Sequence, residues 1–266
     1  MLKDKYQTLR AMINTYGKVA VAFSGGVDST FLVKVCHDVL KENCLACICV
    51  SEAFPVREKN QAVTFCEKHG IAYTMIPVDI MHLNAFTNNQ PDRCYHCKKE
   101  IFKTILQTAA QRGFTVVLEG SNRDDDNDYR PGHKALLELG ICSPLREADL
   151  YKEEIRTLSK QMGLETWDKP SFACLASRFS YGQTITKEKL QWVEKAEQLL
   201  ENKGFRQYRV RIHEDLARLE VLPEQMEMLF EMRHEIVNEL KQIGFRYVTI
   251  DLQGFRTGSM NEGLNL

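Results

Sequence analysis

Two groups of chemistry-bearing residues stand out in this sequence: a glycine and serine loop near the N-terminus, and three cysteines further along the chain. The loop, SGGVDS, runs from Ser24 to Ser29 between an apolar run and a helical pattern. Glycines let backbone N–H groups approach an anion, and the positive end of the helix dipole attracts one. The loop lacks the lysine of the common GxxxxGK[ST] phosphate loop, which argues against the usual γ-phosphate transfer. The pattern predicts either a phosphate site or a tight turn without a ligand.

Cys94, Cys97 and Cys174 differ from the other cysteines in their surroundings. Cys94 and Cys97 form a CxxC motif that is followed by two lysines at the start of a predicted helix, where positive charge favours thiolates. A zinc site normally takes four ligands, and no second CxxC follows, although His96 is near. Cys174, in FACLASRF, is either a small core residue or a third thiolate; three thiolates can hold a [4Fe–4S] cluster with one open iron. We interpret the remaining cysteines as structural: Cys36, Cys44, Cys47, Cys49, Cys66 and Cys142.

An acidic stretch, EGSNRDDDNDYRPG, runs from Glu119 to Gly132 after another strand pattern. Because it follows a strand, it should open on the same edge of the sheet as the phosphate loop. Ser121 and Asn122 can hydrogen-bond a nucleotide, and the aspartates can hold Mg²⁺. A solvated acidic loop is the alternative. The four aspartates are Asp124, Asp125, Asp126 and Asp128.

The strand pattern YRVRIHE places Arg209 and Arg211 on one face, a spacing that suits a phosphate or a carboxylate. A solvated strand face or a subunit contact fits the same pattern. Glu197 and Glu220 are available as polar partners, although isolated glutamates are mostly surface residues.

The order of strand and helix patterns predicts the scaffold for these residues. Strands such as KVAVAF, CLACICVS and AYTMIPVD alternate with helices, which predicts a parallel sheet covered on both faces, a Rossmann-like doubly wound α/β fold. We predict a phosphate-loop domain over 1–168, a cysteine-bearing junction over 169–184 and a small α+β domain over 185–266. The last runs in the order helix, strand, strand, helix, strand.

The composition limits the classes of function. Of 266 residues, 44% are hydrophobic, and 35 basic residues nearly balance 36 acidic ones, which argues against a general nucleic-acid or membrane-surface binder. Over 185–266, five Lys and seven Arg face 14 acidic residues, which argues against a domain that grips tRNA. With no apolar signal core, no run near the ~20 apolar residues of a membrane span and nine cysteines, we expect a soluble cytoplasmic protein with reduced thiols.

Taken together, SGGVDS, CYHC, EGSNRDDDNDYRPG and ACLASR resemble the LarE family, sulfur transferases of nickel-pincer nucleotide biosynthesis within the PP-loop ATP pyrophosphatase superfamily. The resemblance implies that ATP is cleaved between its α and β phosphates. Ser51 falls where the superfamily contacts adenosine, Arg57 is a nearby candidate for a phosphate contact, and Asp28 and Asp125 are the Mg²⁺ candidates. The residues implied to hold the pyrophosphate are Ser24, Gly25, Gly26, Val27, Asp28 and Ser29.

The resemblance also implies a substrate, pyridinium-3,5-biscarboxylic acid mononucleotide, whose carboxylate is adenylated and then converted to a thiocarboxylate. AMP makes the carboxylate oxygen a good leaving group, and a sulfur nucleophile displaces it. In one branch of the family the cysteine that matches Cys174 gives up its own sulfur and becomes dehydroalanine. In another, the cysteines that match Cys94, Cys97 and Cys174 hold a [4Fe–4S] cluster that supplies sulfide, and the presence of all three favours this branch. Arg209 and Arg211 match a phosphate-binding pair, and a trimer-based hexamer is implied.

Three other functions fit parts of the sequence. An ammonia-dependent amidating enzyme similar to NAD synthase shares the phosphate loop but needs no cysteine. A tRNA thiolase shares both the ATP chemistry and the cysteine chemistry, and its tRNA binding would be steeply salt-dependent. A nucleotide-binding scaffold would bind ATP without releasing AMP.

Overall fold

The structure is a computed structural model that describes residues 2–127, 132–170, 173–256 and 259. The chain forms two compact units, one made of residues 1–80 and 94–172, the other of residues 81–93 and 173–266. The division at 172 and 173 falls inside the predicted junction 169–184. The second unit also takes a segment, 81–93, from the first half of the chain, which the sequence patterns did not set apart.

Both units contain helices as well as strands, and the longer helices follow the predicted helical patterns. The pattern EQMEMLFEMRHEIVNELKQIG, predicted as one helix, is two helices that meet at Met232. None of the helices in the described ranges has the length and apolar character that a membrane span needs. The helices are α1 (Leu2–Tyr16), α2 (Val27–Leu40), α3 (Val56–His69), α4 (Asn84–Thr87), α5 (Arg93–Gln111), α6 (Gly132–Glu138), α7 (Pro144–Glu147), α8 (Lys152–Gln161), α9 (Lys187–Asn202), α10 (Met226–Glu231) and α11 (Arg233–Ile243).

The first unit is built on a parallel sheet of four strands in the order β3-β2-β1-β4, which confirms the predicted Rossmann-like fold. The inner strand β1 is apolar on both faces, as a sheet covered on both sides requires. Its residues Val19, Ala20 and Val21 are fully buried. A parallel bridge between Leu118 and Cys142 continues the sheet beyond β4. The strands are β1 (Val19–Ala22), β2 (Cys44–Val50), β3 (Tyr73–Pro77) and β4 (Val116–Leu118).

The second unit has a three-stranded sheet in the order β5-β6-β7, with β5 and β6 antiparallel and β6 and β7 parallel. The element order, α9, β5, β6, α10 with α11, then β7, is the predicted one. In the register of the antiparallel pair, Arg211 lies opposite Arg218 and Arg209 lies opposite Glu220. The strands are β5 (Tyr208–His213), β6 (Leu216–Val221) and β7 (Tyr247–Ile250).

Segment 81–93 belongs to the second unit because it hydrogen-bonds the stretch that follows Cys174. The backbone N–H of Ile185 donates to the carbonyl of Thr87 at 2.7 Å. Asn89, which is fully buried, donates through Nδ2 to the carbonyls of Phe179 at 3.3 Å and Ser180 at 2.6 Å. These bonds give the polar backbone of the irregular stretch its partners and fix it within the unit.

Candidate functional site

The phosphate loop follows β1 and closes on itself through two hydroxyls. Ser24 Oγ and Ser29 Oγ lie 3.0 Å apart, and Ser29 Oγ donates to the carbonyl of Gly26 at 3.2 Å. Gly25 has φ +76°, and a Cβ there would lie 3.2 Å from the carbonyl oxygen of Glu58, so this position requires glycine. The loop is therefore a preformed turn.

The N-terminus of α2 presents backbone rather than side chains. Gly26 occupies the N-cap position and has no side chain with which to cap the helix. Val27, the first helical residue, is buried in the core, so only its backbone faces the loop. The N–H groups of this first turn suit an anion, in the manner of other helix N-termini that bind phosphate.

The acidic stretch packs directly against this loop through Gly120. A Cβ at Gly120 would lie 3.1 Å from the backbone nitrogen of Ser29, so a larger residue would push the two segments apart. Glu119 is buried and accepts hydrogen bonds from the hydroxyls of Ser121, at 2.8 Å, and Ser143. Sequence reasoning did not single out Glu119 or Gly120; the signal was a glycine directly after a strand.

Asp28 is where the two predicted nucleotide segments meet. Asn122 Nδ2 donates to Asp28 Oδ1 at 3.3 Å, and the Nζ of Lys152 donates to Asp28 Oδ2. The backbone N–H of Lys152 also donates to Asp124 Oδ2 at 2.7 Å. Sequence reasoning missed Lys152, because nothing near position 152 indicates a contact 124 residues away.

The acidic loop is a hydrogen-bonded turn as far as Asn127, in which Asp125 is buried while Asp124 and Asp126 are exposed. Asp125 is buried, and its Oδ2 accepts from the backbone N–H of Asn122 at 3.0 Å. The Oδ1 of Asn122 accepts from the N–H of Asp124 at 2.9 Å, and Asp126 pairs with Arg123 at 2.6 Å. Asp128 and the Tyr-Arg-Pro that follows it lie outside the described residues.

The donor set beside the loop fits a magnesium ion that arrives with ATP. Asp28 and Asp125 supply carboxylate oxygens, which are hard ligands. The described residues include no group of three His, Cys, Asp or Glu side chains arranged to hold a metal. Mg²⁺ at nucleotide sites commonly takes one or two carboxylates and completes its shell with phosphate and water, so Asp28 and Asp125 stay the predicted ligands.

Ser51 and Arg57 lie around the start of α3. The hydroxyl of Ser51 accepts from the N–H of Ala53 at 3.2 Å in the turn after β2. Arg57 is the second residue of α3, with its Nε 3.8 Å from Glu58 Oε1. Their predicted contacts with adenosine and phosphate stay predictions.

Lys169 ties the phosphate loop to α3, a contact that sequence reasoning did not foresee. Its Nζ donates to the carbonyl of Gly25 at 3.0 Å, to Glu58 Oε2 at 2.7 Å and to Gln61 Oε1 at 2.6 Å. Arg156, on α8, fixes the backbone here by donating to the carbonyl of Lys169 at 3.0 Å. The turn at Gly25 is thus held by a lysine from the end of the unit.

Cys94 and Cys97 lie in the first turn of α5, in the first unit. Cys94 is exposed and Cys97 is half-buried. The nearby Lys99 Nζ donates to Glu138 Oε2 at 2.6 Å and to Tyr95 Oη at 2.8 Å. These bonds, the one to Glu138 first, raise the pKa of Lys99 to about 12, so it keeps its charge.

Cys174, in the second unit, precedes a short 3₁₀ turn over Leu175–Arg178. Its carbonyl accepts from the Ser177 N–H at 3.0 Å, the Ser177 hydroxyl at 2.8 Å and Arg178 Nη1 at 3.1 Å. Leu175 and Ala176 are buried beneath the turn, whereas Cys174 is half-buried. The backbone of this cysteine is therefore fixed while its side chain stays accessible.

Two buried arginines hold that turn, each in a bidentate pair with a glutamate. Arg178 donates to both carboxylate oxygens of Glu197, at 2.8 and 2.9 Å, and Arg211 donates to both oxygens of Glu220, at 3.1 and 2.9 Å. Arg211 also reaches the carbonyl of Ser177 at 3.0 Å. Burial acts to raise the pKa of Glu197, but the charge and hydrogen bonds of Arg178 lower it overall, so this carboxylate stays ionised. The two glutamates noted in the sequence are thus the partners of buried arginines.

Arg209 lies beside these pairs and is also buried, so the predicted arginine face is not solvated. Its guanidinium lies 5.0 Å from the ring centroid of Phe255, and its Nη1 donates to the carbonyl of Tyr208 at 2.6 Å. Burial, then the charge of Arg178, lowers the pKa of Arg209 to about 10, which leaves it charged at neutral pH. Arg178, Arg209 and Arg211 are thus three buried arginines of the second unit. Guanidinium groups donate charge-assisted hydrogen bonds, which suit a phosphate or a carboxylate.

Most of the other cysteines are confirmed as core residues. Cys36, Cys44, Cys47 and Cys66 are buried, and Cys142 pairs with Leu118 beside β4. Burial raises the pKa of Cys36, and it raises the pKa of Cys47, Cys49 and Cys66 to about 12. These thiols are protonated at neutral pH and are poor nucleophiles.

Comparison with known proteins adds a family to this geometry. Residues 1–233 match the family model described as NAD synthase. The chain is 41% identical over 265 residues to the pyridinium-3,5-bisthiocarboxylic acid mononucleotide synthase of Lactiplantibacillus plantarum, covering 99% of this chain and 96% of that protein. It is also 41% identical over 266 residues to an uncharacterized protein of Synechocystis, covering 99% of both. One of the subunits of a glutamine-hydrolyzing GMP synthase from Thermoplasma volcanium is 29% identical over 207 residues, 70% of this chain and 64% of that protein.

Proposed function

The chain belongs to the NAD synthase family and, within it, to the LarE family, and on this basis we propose the reaction of this ATP-using sulfurtransferase. Its substrate is pyridinium-3,5-biscarboxylic acid mononucleotide. ATP adenylates a carboxylate of this substrate, and sulfur then displaces AMP to give a thiocarboxylate. The sulfur comes from a [4Fe–4S] cluster held by Cys94, Cys97 and Cys174.

The observation that carries the proposal is the meeting of the two nucleotide segments at Asp28. Asn122 bonds Asp28 at 3.3 Å, and Gly120 lies against Ser29, so the phosphate loop and the acidic loop line one site. The first turn of α2 offers backbone N–H groups to the pyrophosphate, with Ser24 and Ser29 as hydroxyl donors. Mg²⁺ at Asp28 and Asp125 would neutralise phosphate charge during cleavage between the α and β phosphates.

The buried arginines support a site for the phosphate of the mononucleotide. Arg209 and Arg211 share a face of β5, and both are buried, as Arg178 is. An incoming phosphate would accept charge-assisted hydrogen bonds from their guanidinium groups. Arg211 also bonds the turn that follows Cys174, so phosphate binding and sulfur delivery would use one network.

Support for the cluster comes from the chemistry of the three thiols alone, because the described residues include no group of three His, Cys, Asp or Glu side chains arranged to hold a metal. Two come from one helical turn, a spacing that lets both face one ligand, and Cys174 adds a third sulfur on a fixed backbone. When bound, the cluster would offer an open iron that can carry an extra sulfide. The chain's own part is to hold these three sulfurs.

Iron and sulfide analysis of protein prepared without oxygen tests the cluster. We expect brown protein with about four irons per chain. Cys94→Ser or Cys97→Ser should lose the iron, whereas Cys142→Ser, a half-buried cysteine in the same unit, should keep it. Wild-type protein that is colourless and free of iron would contradict the cluster. If Cys174 of that protein loses the mass of one H₂S during turnover, the result indicates that Cys174 donates its own sulfur.

The substrate is tested by mass spectrometry of the product. The mononucleotide, ATP, Mg²⁺ and sulfide should yield AMP and a thiocarboxylate. An amide formed from ammonia, with Cys174→Ser fully active, would instead indicate an amidating enzyme. Light scattering should report six chains if the implied trimer-based hexamer forms.

A further inference from the structure

The phosphate loop has no lysine of its own, yet a lysine from a distant element lies at its end. Lys152 is the first residue of α8 and pairs with Asp28, 124 residues earlier in the sequence. Both residues are partly buried, with side chains 27% and 22% exposed. The pair therefore lies at the rim of the loop, where an incoming ligand can reach it.

The backbone of Lys152 is fixed while its side chain has room to move. Its N–H donates to Asp124 Oδ2 at 2.7 Å, and the preceding N–H, of Tyr151, donates to Glu154 Oε2 at 2.9 Å. This start of α8 is anchored to the acidic loop. The four-carbon stem of a lysine can redirect the ammonium without moving that anchor, and an ammonium binds phosphate as a point charge.

Both carboxylate oxygens of Asp28 already accept hydrogen bonds before any metal arrives. Oδ2 accepts from Lys152 and Oδ1 accepts from Asn122. Each oxygen has a further lone pair that can bind a divalent cation, but a cation bound there would lie beside one of these two donors. Lys152 is the donor whose positive charge the cation repels, and the phosphates that arrive with the cation attract that same charge.

We propose that Lys152 supplies the cation that the phosphate loop lacks: it neutralises Asp28 in the free protein and moves to the nucleotide phosphates when Mg²⁺ takes its place on Asp28. This inference rests on the proposed use of ATP. The exchange keeps positive charge on Asp28 throughout, so the carboxylate does not repel the approaching nucleotide. A divalent cation bound without nucleotide competes with Lys152, whereas one bound with nucleotide cooperates with it.

Metal and nucleotide binding to Lys152→Met separates these two effects. The probes are Mn²⁺ alone, followed by the EPR signal of the free ion, and Mn²⁺ with α,β-methylene-ATP, which resists cleavage between the α and β phosphates. We expect the variant to bind Mn²⁺ alone several-fold more tightly, because its competitor is gone. It should bind the nucleotide about tenfold more weakly or worse, because a charged hydrogen bond is lost.

Lys5→Met is the matched control. Lys5 lies on α1, is 24% exposed and forms an ion pair with Glu154 of α8 at 3.0 Å, so its replacement removes the same charge from beside α8 but not from Asp28. Both affinities should stay near wild type in this control. If Lys152→Met does not fold, Lys152→Arg serves instead: its rigid fork grips Asp28 bidentately, so Mn²⁺ alone should bind more weakly than to wild type.

Each result decides one question. If Lys152→Met leaves either affinity unchanged, or weakens the binding of Mn²⁺ alone, the exchange is wrong and Lys152 is only a structural ion-pair partner. If wild type itself does not bind the Mn²⁺ nucleotide, the proposed use of ATP fails, whatever the variant does.

Discussion

Arg178 and Glu197 form a fully buried bidentate ion pair whose remaining guanidinium nitrogen holds the backbone of Cys174. Nε and Nη2 of Arg178 bind the carboxylate at 2.8 and 2.9 Å, and Nη1 donates to the carbonyls of Ala173 at 2.9 Å and Cys174 at 3.1 Å. Glu197 also accepts from the N–H of Val210 on β5 at 3.1 Å. The position of the cysteine is thus coupled to the sheet through one buried charge pair.

Arg178→Met should lower the free energy of unfolding by about 3–5 kcal/mol, because it leaves Glu197 charged, buried and without its partner. Urea unfolding measures the loss. The same variant should speed alkylation of Cys174 in the folded protein, since the carbonyl that anchors its turn loses a donor.

Lys189→Met is the control for this prediction. Lys189 pairs with the exposed Glu214 at 3.1 Å in the same unit, and its loss should cost less than about 1 kcal/mol. If both variants unfold at the same urea concentration, the buried ion pair contributes no more to the free energy of unfolding than the exposed one.

Gly25→Ala should disrupt nucleotide binding as well as stability. The new Cβ must adopt φ +76° and approach the Glu58 carbonyl to 3.2 Å, so the phosphate loop has to shift. Gly17→Ala isolates the backbone strain, because Gly17 has φ +69° and a Cβ there meets nothing within 4 Å.

We expect both glycine variants to lose about 1–2 kcal/mol of unfolding free energy. Isothermal titration with α,β-methylene-ATP should show weaker binding for Gly25→Ala alone. Equal nucleotide affinity in the two variants would contradict the role of the Gly25 turn.

Lys169→Met should weaken nucleotide binding about tenfold, because charge-assisted hydrogen bonds to the loop and α3 are lost. Its Nζ lies 3.0 Å from the Gly25 carbonyl and 2.7 Å from Glu58 Oε2. The matched control is Lys68→Met: Lys68 lies on α3, the helix that Lys169 contacts, and loses only an exposed ion pair with Glu165, so the affinity should stay unchanged. An unaltered affinity in Lys169→Met would show that the Gly25 turn holds its shape without this lysine.

Thiol alkylation should sort the cysteines by accessibility. At about pH 8, iodoacetamide should label Cys94 first and leave Cys47 and Cys66 unlabelled in the folded protein, because burial raises the pKa of both buried thiols to about 12. Peptide mapping by mass spectrometry gives the order. Rapid labelling of Cys47 without unfolding would contradict the buried position of β2, and full labelling in denaturant is the control.

The fold was predictable because it depends on local patterns. The all-apolar β1, the loop after it and the helix that starts at Val27 follow from neighbouring residues, and so do the paired strands around Arg209 and Arg211. What the patterns did not indicate is segment 81–93 in the second unit, because its partners lie some 90 residues away, as in the bond from Asn89 to Ser180.

The sequence by itself determined the chemistry available here: the SGGVDS turn, the carboxylates of Asp28 and Asp125, and the three cysteines set apart from the core thiols. Only the tertiary structure decided which groups act together. It brought Lys152 to Asp28 and Lys169 to Gly25, and it turned Glu197 and Glu220 into the partners of buried arginines. The reason is physical. A turn or a strand depends on adjacent residues, whereas an ion pair between distant residues exists only once folding has brought the two charges together. Where the pair is buried, each charge then needs its partner to offset the cost of leaving water.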